Sequence, residues 1–372
     1  MKNALAFNVP FSGFCGTTFI NGFTSTYMFL ENKAVGGSDY ACRQLDGESC
    51  NSCGHCGQGG GTPISRQEKF FFLFDTMCGR SALRCRFDGE PTAMQQMIGE
   101  TDFYDNGTEN NIDFLFGFAG WEFRTLTDPA MFKKEIVASI DAGRPVMAKV
   151  KTGGGRFRVI TGYDSDAMIC PDFTNAQQKP TGAPTYDELD VVYVIGEKIA
   201  PRYTLIDGLK RIRQVMEYNA SEKLWDGYME KMGLYTNDSL GRVGMEEKKA
   251  RMKRVAETMW HTFNCHNFAE VFREYCRDGD TPVYDGVGDV SKLRHPDCKA
   301  LGYTIGPRHG YTHDLAWALI GLEQCANWDT HVGHCGYYGE MVELTLRQIA
   351  KNDADVLDAI NKAIEIVGKS ET

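Results

Sequence analysis

The spacing of apolar positions predicts two helices in the first half of the chain. Over residues 15–30, large apolar side chains recur every three or four positions, which is typical of a buried helical face: Phe19, Phe23, Tyr27 and Leu30. A second helix is predicted to begin at Asp128-Pro129, because an acidic cap followed by a first-turn proline is a strong start signal. Gly143 is predicted to end it.

Short apolar segments between residues 146 and 195 predict strands rather than further helices. The segments are separated by turn residues, and they are Val146–Val150, Arg156–Gly162, Ala167–Cys170 and Asp190–Ile195. A helix followed by a set of short antiparallel strands indicates an α+β arrangement for this part of the chain.

The second half of the chain has a different pattern. From residue 205 onward, charged positions alternate with apolar ones at a period of 3.6, which predicts a bundle of amphipathic helices. Ala200-Pro201 interrupts the preceding strand pattern. We therefore predict a first, α+β domain over residues 1–202 and an all-helical domain over residues 203–372.

One further apolar run lies before a cysteine. Phe70–Phe74 contains apolar residues only, and we interpret it as a buried strand. Cys78 would then lie at a strand-to-helix turn as a second candidate nucleophile. A cysteine packed in the core is the more favoured interpretation of Cys78.

Charge narrows the classes of partner. Fifty acidic against forty basic residues give a net charge of −10, so no strong positive field is available for nucleic acid or an anionic membrane. The apolar N-terminal run is broken by Asn8, Pro10 and Ser12, and no stretch of about 18 apolar residues follows. We therefore expect a cytoplasmic protein with no membrane or nucleic-acid partner, and its oligomeric state stays open.

Four of the 13 cysteines lie on one polar, glycine-rich segment: Cys42, Cys50, Cys53 and Cys56. In a reducing compartment such a cluster indicates metal binding or catalysis more often than disulfides. Because each C-x-x-C pair can wrap a tetrahedral cation, a structural zinc is the leading interpretation, with His55 as a substitute ligand. An iron–sulfur cluster, disulfides and free thiols are the alternatives.

Cys15 is the leading candidate for chemistry. It precedes the first predicted helix and stands between Gly13 and Gly16, which leave room for a substrate backbone. The N–H groups and the dipole at a helix start favour a thiolate, and the N–H of Cys15 can form half of an oxyanion hole. The alternative is a small buried cysteine with no chemical role.

The order of elements after residue 128 resembles that of the papain-like cysteine peptidases of family C39 and the related N-terminal domain of the butirosin-biosynthesis acyltransferase type. There, G-x-P-V precedes a strand, H-x-V-V-x-x-G-Y-D carries the base, and a later D-P orients it. This chain has Gly143-Arg144-Pro145-Val146 and Gly162-Tyr163-Asp164 at the matching positions. The resemblance covers about residues 10–200 and implies a papain-like fold with Cys15 at the nucleophile position.

Two departures from the family pattern concern the base. Arg156 stands where the family has histidine, and Cys170 stands before Pro171 where the family has aspartate. Arginine cannot accept a proton near neutral pH, but it can stabilise a thiolate or bind an anion. Asp172 lies at the correct end of the hairpin to orient a group. Three interpretations stay open: a fold kept without catalysis, a base supplied by His55 or a histidine of the second half, or a different register of the motif.

These observations favour thiol-dependent acyl chemistry of the peptidase (hydrolase) or acyltransferase type. Cys15, Arg156 and Asp172 are the expected site residues, and a peptide or a small acyl compound is the expected substrate. The alternative is a non-catalytic papain-like protein that binds a peptide or a small anionic ligand through Arg156. Beyond the possible zinc, no cofactor is expected.

Overall fold

The structure is a computed structural model of the whole chain. It describes residues 2–7, 9, 11–12, 18–33, 66–82, 109–151, 157–171, 173–174, 182–223, 244, 246–247, 250, 271–272, 287–307, 310–311, 314–315, 317–318, 321 and 335–369. Helices and strands are mixed, which confirms the α+β class. The chain divides into two compact units: unit 1 comprises Met1–Phe74 and Gly99–Thr204, and unit 2 comprises Asp75–Ile98 and Leu205–Thr372.

Unit 1 contains the described strands and most of the first four helices. In chain order its elements are β1 (Lys2–Ala4), β2 (Phe11–Ser12), α1 (Thr18–Leu30), α2 (Arg66–Met77, which continues into unit 2), α3 (Glu109–Ala119), β3 (Trp121–Leu126), α4 (Pro129–Asp141), β4 (Val146–Val150), β5 (Phe157–Ile160), β6 (Gly162–Asp164), β7 (Ala167–Ile169), β8 (Phe173–Thr174) and β9 (Leu189–Lys198).

The strands that the structure describes in unit 1 form three sheets. The largest has the order β3-β9-β4-β5 with antiparallel neighbours. A smaller antiparallel sheet has the order β1-β6-β7, and β2 pairs with β8 in parallel. The sequence pattern predicted one strand over Arg156–Gly162. The structure ends β5 at Ile160, because the N–H of Thr161 donates to Ile169 and its carbonyl accepts from Leu5, which turns the chain into the second sheet.

Helix α4 confirms the start and stop signals in the sequence. The Asp128 carboxylate accepts a hydrogen bond from the N–H of Ala130 at 3.0 Å, and Pro129 occupies the first helical position. Gly143 has φ +81°, a left-handed conformation that ends the helix and that a side chain would strain. The face of α4 toward the largest sheet buries Phe132, Ile136 and Ile140.

The two faces of the largest sheet carry different cores. On the α4 face, aliphatic side chains of β4 and β9 pack against the helix: Val146, Ala148, Val150, Val192 and Val194. On the α1 face the contacts are aromatic. Phe157 of β5 lies 4.9 Å from Phe19 of α1 and 6.1 Å from Tyr193 of β9, between ring centroids.

The aromatic core continues across β3 to α3. The rings of Tyr193 and Phe123 are 6.4 Å apart, and Phe123 stacks on Phe116 at 4.7 Å. Phe116 meets Phe23 of α1 edge-on at 5.1 Å. Because aromatic pairs at these separations are attractive beyond their buried area, the chain of rings holds α1 against the sheet.

Unit 2 is helical in the part that the structure describes. Its main elements are α5 (Leu205–Ser221), α6 (Lys299–Ile305) and α7 (Cys335–Lys369), with short 3-10 turns at Arg80–Ala82, Val290–Arg294 and Pro296–Cys298. The buried positions of α5 and α7 follow the helical period, as the sequence predicted. Within the same unit, Arg80 donates to the Asp75 carboxylate at 2.7 Å, and both side chains are buried.

The strand predicted over Phe70–Phe74 is wrong. The run lies inside helix α2, and all five side chains are buried. A short run of apolar residues has no period of its own, so it is compatible with a buried strand or with a helix that is buried on every side. The helix-compatible residues on both sides of the run extend the element to 12 residues.

None of the helices that the structure describes is both long and apolar enough to cross a membrane. This includes α7, which spans 35 residues but carries charged side chains along its length.

Candidate functional site

The predicted site residues lie outside the described residues. This holds for Cys15, Arg156 and Asp172, and equally for the predicted metal ligands Cys42, Cys50, Cys53 and Cys56. The segments next to the first three are described, and their positions indicate which parts of the chain meet.

The segments that precede Cys15 and follow Asp172 are paired strands. Phe11 pairs with Phe173, and Ser12 pairs with Thr174, in the parallel β2–β8 ladder. Phe173 is the residue directly after Asp172, and Ser12 is three residues before Cys15. The sequence separates these two segments by about 160 residues, so only the fold brings them together.

The segments that follow Cys15 and Arg156 are also in contact. Phe19 lies in the first turn of α1, and its ring packs against Phe157, the first residue of β5. Phe157 directly follows Arg156, and α1 begins three residues after Cys15. The described neighbours of all three predicted site residues therefore adjoin the N-terminal end of α1.

Helix α1 is buried on every side. Every residue from Phe19 to Met28 is buried, and this stretch includes four polar side chains, namely Asn21, Thr24, Ser25 and Thr26. A helix without an exposed face is held by its surroundings in one orientation, which suits a helix that presents a reactive group at its start.

The far end of α1 is fixed by a polar clamp. Glu31, directly after the helix, accepts a hydrogen bond from Trp121 Nε1 at 2.8 Å and pairs with Lys198. The Lys198 ammonium also lies over the Trp121 ring, 5.2 Å from its centroid. The clamp joins the end of α1 to the point where β3 begins and β9 ends.

Burial makes the Cys170 and Cys298 thiols poor nucleophiles. Burial raises the pKa of Cys170 to about 12, although the Arg158 guanidinium opposes this shift. Burial, followed by the charge of Asp297, raises the pKa of Cys298 to about 11. Cys78 is fully buried, and its S–H donates to the Asp75 carbonyl at 3.4 Å, as expected for a core cysteine. The Cys170 and Cys298 thiols therefore stay protonated near neutral pH.

The described residues contain one imidazole, that of His295 in unit 2. Its Nδ1 accepts a hydrogen bond from the N–H of Asp297 at 3.2 Å and so caps a short 3-10 turn. His55 and the other histidines named as possible bases lie outside the described residues. Within the described part of the chain, no group of three or more His, Cys, Asp or Glu side chains is arranged to hold a metal ion.

The sequence pattern gave no indication of a groove of about 710 Å³ on the α4 face of the largest sheet. We call it the α4 groove. Its lining residues come from α3, β3, α4, β9 and the segments that follow α4 and β9: Asp113, Glu122, Phe123, Arg124, Thr125, Glu135, Ala138, Ser139, Ala142, Arg144, Val194, Ile195, Gly196, Ile199 and Arg202. All of them belong to unit 1.

Comparison with models of protein families, with curated proteins and with solved structures found no match to this chain.

Proposed function

We propose that this chain is a thiol-dependent acyl-transfer enzyme of the papain-like type, with Cys15 as its nucleophile. The observation that carries the proposal is the meeting of three distant segments at the start of α1. Ser12 pairs with Thr174, and Phe19 packs on Phe157, so the flanks of Cys15, Arg156 and Asp172 come together. The resemblance to family C39 assigns the nucleophile, the base and the orienting residue to these same three segments.

The architecture around α1 supports the papain-like assignment. A nucleophile at the start of a buried helix gains from unpaired backbone N–H groups and from the positive end of the helix dipole. Helix α1 is buried from Phe19 to Met28 and packs on the antiparallel strands β4 and β5. Burial raises the pKa values of Cys170 and Cys298, so these two thiols are unsuited to the role.

The proposed reaction has two steps. The Cys15 thiolate attacks the acyl carbon and forms a C–S bond, and the carbonyl electron pair moves onto oxygen. The carbonyl reforms as the bond to the leaving group breaks, and that group takes up a proton. Water or an amine then attacks the thioester and gives a proton to the group that protonated the leaving group, the new acyl bond forms, and the Cys15 thiolate departs.

Arg156 and Asp172 act in this scheme through charge. The Arg156 guanidinium lowers the pKa of the thiol or holds an anionic group of the substrate. Asp172 orients the group that carries the proton to the leaving group. Arg156 itself cannot carry this proton, so the proposal requires an imidazole from His55 or from the second half of the chain.

An acyl-trapping experiment tests the proposal. The full chain is incubated with p-nitrophenyl acetate near neutral pH, digested and mapped by mass spectrometry. We expect an acetyl thioester on the Cys15 peptide, its loss in Cys15→Ala, and its retention in Cys170→Ala, the matched control. Absence of acetyl from Cys15 in the wild-type chain, or equal acetylation of the Cys170 peptide, would overturn the proposal.

A non-catalytic binding protein is the second candidate, and Arg156 at the position of the base favours it. Such a protein needs an anion anchor but no thiolate. Alkylation by iodoacetamide separates the two functions, because an activated Cys15 reacts well below pH 8, whereas an ordinary thiol with a pKa near 8.5 does not. Cys15 labelling that matches the rate of a free cysteine peptide at each pH would favour the binding protein.

We also propose that Cys42, Cys50, Cys53 and Cys56 hold a structural zinc ion. Thiolates at C-x-x-C spacing suit a tetrahedral site, and a zinc would cross-link a polar segment that has few apolar residues. Elemental analysis of protein purified under reducing conditions is expected to find one zinc per chain. The Cys53→Ser variant should lose it, whereas Cys170→Ser should keep it, and wild-type protein without zinc would exclude the site.

A further inference from the structure

The α4 groove exists because one edge of α4 has small residues, whereas the face of α4 that packs on the sheet has large ones. Phe132, Ile136 and Ile140 fill the space above the sheet, but the neighbouring stripe of the helix has only small residues after Glu135, namely Ala138, Ser139 and Ala142. At this level the core therefore stops short of the edge strand β3. The volume of about 710 Å³ lies within the range of small-ligand sites.

The strand beneath the groove, β9, also lacks a side chain at one position, Gly196. A Cβ atom on Gly196 of β9 would lie 2.8 Å from the Cβ of Glu122, closer than real contacts allow. The β3–β9 register is irregular between Trp121 and Phe123, which places Glu122 against this glycine. Gly196 thus lets the Glu122 side chain lie across the strand and into the groove.

Three guanidinium groups line the groove, each paired with a carboxylate from a different element. Arg124 of β3 pairs with Glu135 of α4, and Arg144, after α4, pairs with Glu197 of β9. Arg202 donates to Asp113 of α3 at 2.7 Å. The pairing holds the guanidinium groups in place around the opening.

The guanidinium groups keep hydrogen-bonding capacity for a ligand. Arg124 and Arg144 each reach their carboxylate through Nη2 alone, and a guanidinium has five N–H donors. The side chains of Arg124 and Arg202 are about half exposed, at 52% and 44%. A carboxylate can therefore bind at the open edge of these forks without displacing the existing partner.

Glu122 supplies a negative charge in the groove, opposite to the charge of the guanidinium groups. Its carboxylate forms no ion pair with the residues that the structure describes, whereas Glu135 and Asp113 are both neutralised by arginine. The lining contains three arginines and three acidic residues, Asp113, Glu122 and Glu135, so its formal charge is zero. A groove of this kind suits a ligand with both charges better than a polyanion.

The backbone of β3 is part of the lining. Four consecutive residues, from Glu122 to Thr125, contribute, although side chains of a strand alternate between its faces. The groove therefore reaches the strand's main chain as well as its side chains. Among the strands that the structure describes, β3 is at the edge of its sheet, which is the position where extended peptides add to a sheet.

We propose that the α4 groove binds a short extended peptide segment that carries an acidic side chain for the guanidinium groups and a basic side chain for Glu122. The peptide main chain pairs with the edge of β3, and its side chains fill the space above Ala138 and Ala142. This proposal does not depend on Cys15, because every residue that it uses lies on the α4 face of the largest sheet or at its edge.

Fluorescence anisotropy with the full chain tests the proposal. The probe is a fluorescein-labelled, terminally blocked pentapeptide of threonines with glutamate second and lysine fourth, and the comparison peptide has serine at both charged positions. We expect saturable binding of the charged probe and about ten-fold weaker binding of the serine peptide. Ala138→Leu, which fills the groove without changing charge, should weaken binding by about ten-fold, whereas Ala130→Leu, an exposed position on the same helix, should not.

Two results would overturn the proposal. The first is equal binding of the probe by Ala138→Leu and Ala130→Leu, which would place the peptide elsewhere. The second is full competition by sodium glutarate at the concentration of the peptide, which would make the groove a site for a simple dianion. Because Cys15→Ala leaves the groove intact, retained peptide binding in that variant separates this proposal from the acyl-transfer proposal.

Discussion

The two faces of the largest sheet in unit 1 differ in the kind of side chain that covers them and in how completely they are covered. On the α1 face, a chain of aromatic rings runs from Phe19 through Phe157, Tyr193 and Phe123 to Phe116, and all of them are buried except Phe123, which is half-buried. On the α4 face, aliphatic packing stops part-way, and charged side chains surround a groove. The same strands thus have one face that is filled and one that is partly open.

The difference shows how one sheet can provide rigidity and an opening together. The aromatic face fixes α1 and, with it, the end of the helix that follows Cys15. On the α4 face, buried aliphatic side chains hold α4 against the sheet. At the β3 side of this face, charged side chains line the groove instead. Substitutions on the aromatic face should therefore change stability strongly, and substitutions at the groove should change it little.

The largest effect is expected for Phe157→Ala. Phe157 is fully buried and contacts rings on both α1 and β9, so its removal leaves a cavity in the aromatic core. We expect the free energy of unfolding to fall by about 3–5 kcal/mol, measured by urea denaturation. The exposed control Lys134→Ala should change it by about 0.5 kcal/mol or less. Equal stabilities for the two variants would remove the distinction between the faces.

A smaller effect is expected for Asp128→Ala, at the start of α4. The variant loses the hydrogen bond from the N–H of Ala130 and should lower the free energy of unfolding by about 1 kcal/mol. Asp128→Ser keeps a side-chain oxygen at the cap and should retain most of the stability. If serine proves as destabilising as alanine, the cap does not stabilise α4.

Arg124→Gln should have less effect still. The Arg124–Glu135 ion pair lies at the surface, so its loss is expected to cost about 0–1 kcal/mol, less at high salt. The matched control is Lys133→Gln. Lys133 lies on α4, as Glu135 does, and this variant removes its exposed ion pair with Asp166. A loss of several kcal/mol for Arg124→Gln alone would mean that the rim of the groove is structural.

Asp141 should give a weak dependence of stability on pH. Hydrogen bonds from Asn3 and then Tyr163, both 2.8 Å long, hold the pKa of this carboxyl below its ordinary value of 3.8. The stabilisation is therefore present above pH 3.8 and is lost as the pH falls through the lowered pKa. Thermal melts should show the wild type above Asp141→Asn at pH 6, with the gap closing toward pH 3. A gap that stays constant over this range would rule out the linkage.

Local signals in the sequence were enough for the elements whose ends are chemically marked. Asp128, Pro129 and Gly143 predicted α4, and the strand Val146–Val150 was predicted with its observed bounds. The helix predicted over residues 15–30 is confirmed from Thr18 to Leu30. These elements depend on neighbouring residues, so a single sequence contains the information.

Features that depend on distant residues were not predictable. The run Phe70–Phe74 has the pattern of a buried strand, because burial on all sides of a helix removes its periodicity. The α4 groove depends on the β3–β9 register, which sets Glu122 against Gly196, and no local pattern records that pairing. The catalytic residues stay predictions, supported by the flanks that the fold brings together at α1.

Helix α2 has a practical consequence for anyone who divides this protein. It runs without interruption from Arg66 to Met77, yet the border between the units falls between Phe74 and Asp75. A fragment that stops at Thr204 would carry Asp75–Ile98 without the partners of that segment: Arg211 donates to the Cys78 carbonyl at 2.7 Å, and Asn219 to the Ala82 carbonyl at 2.8 Å. A single cut at Thr204 therefore leaves both units incomplete. To express unit 1 alone, Phe74 has to be linked to Gly99, and to express unit 2 alone, Asp75–Ile98 has to be linked to the segment that begins at Leu205.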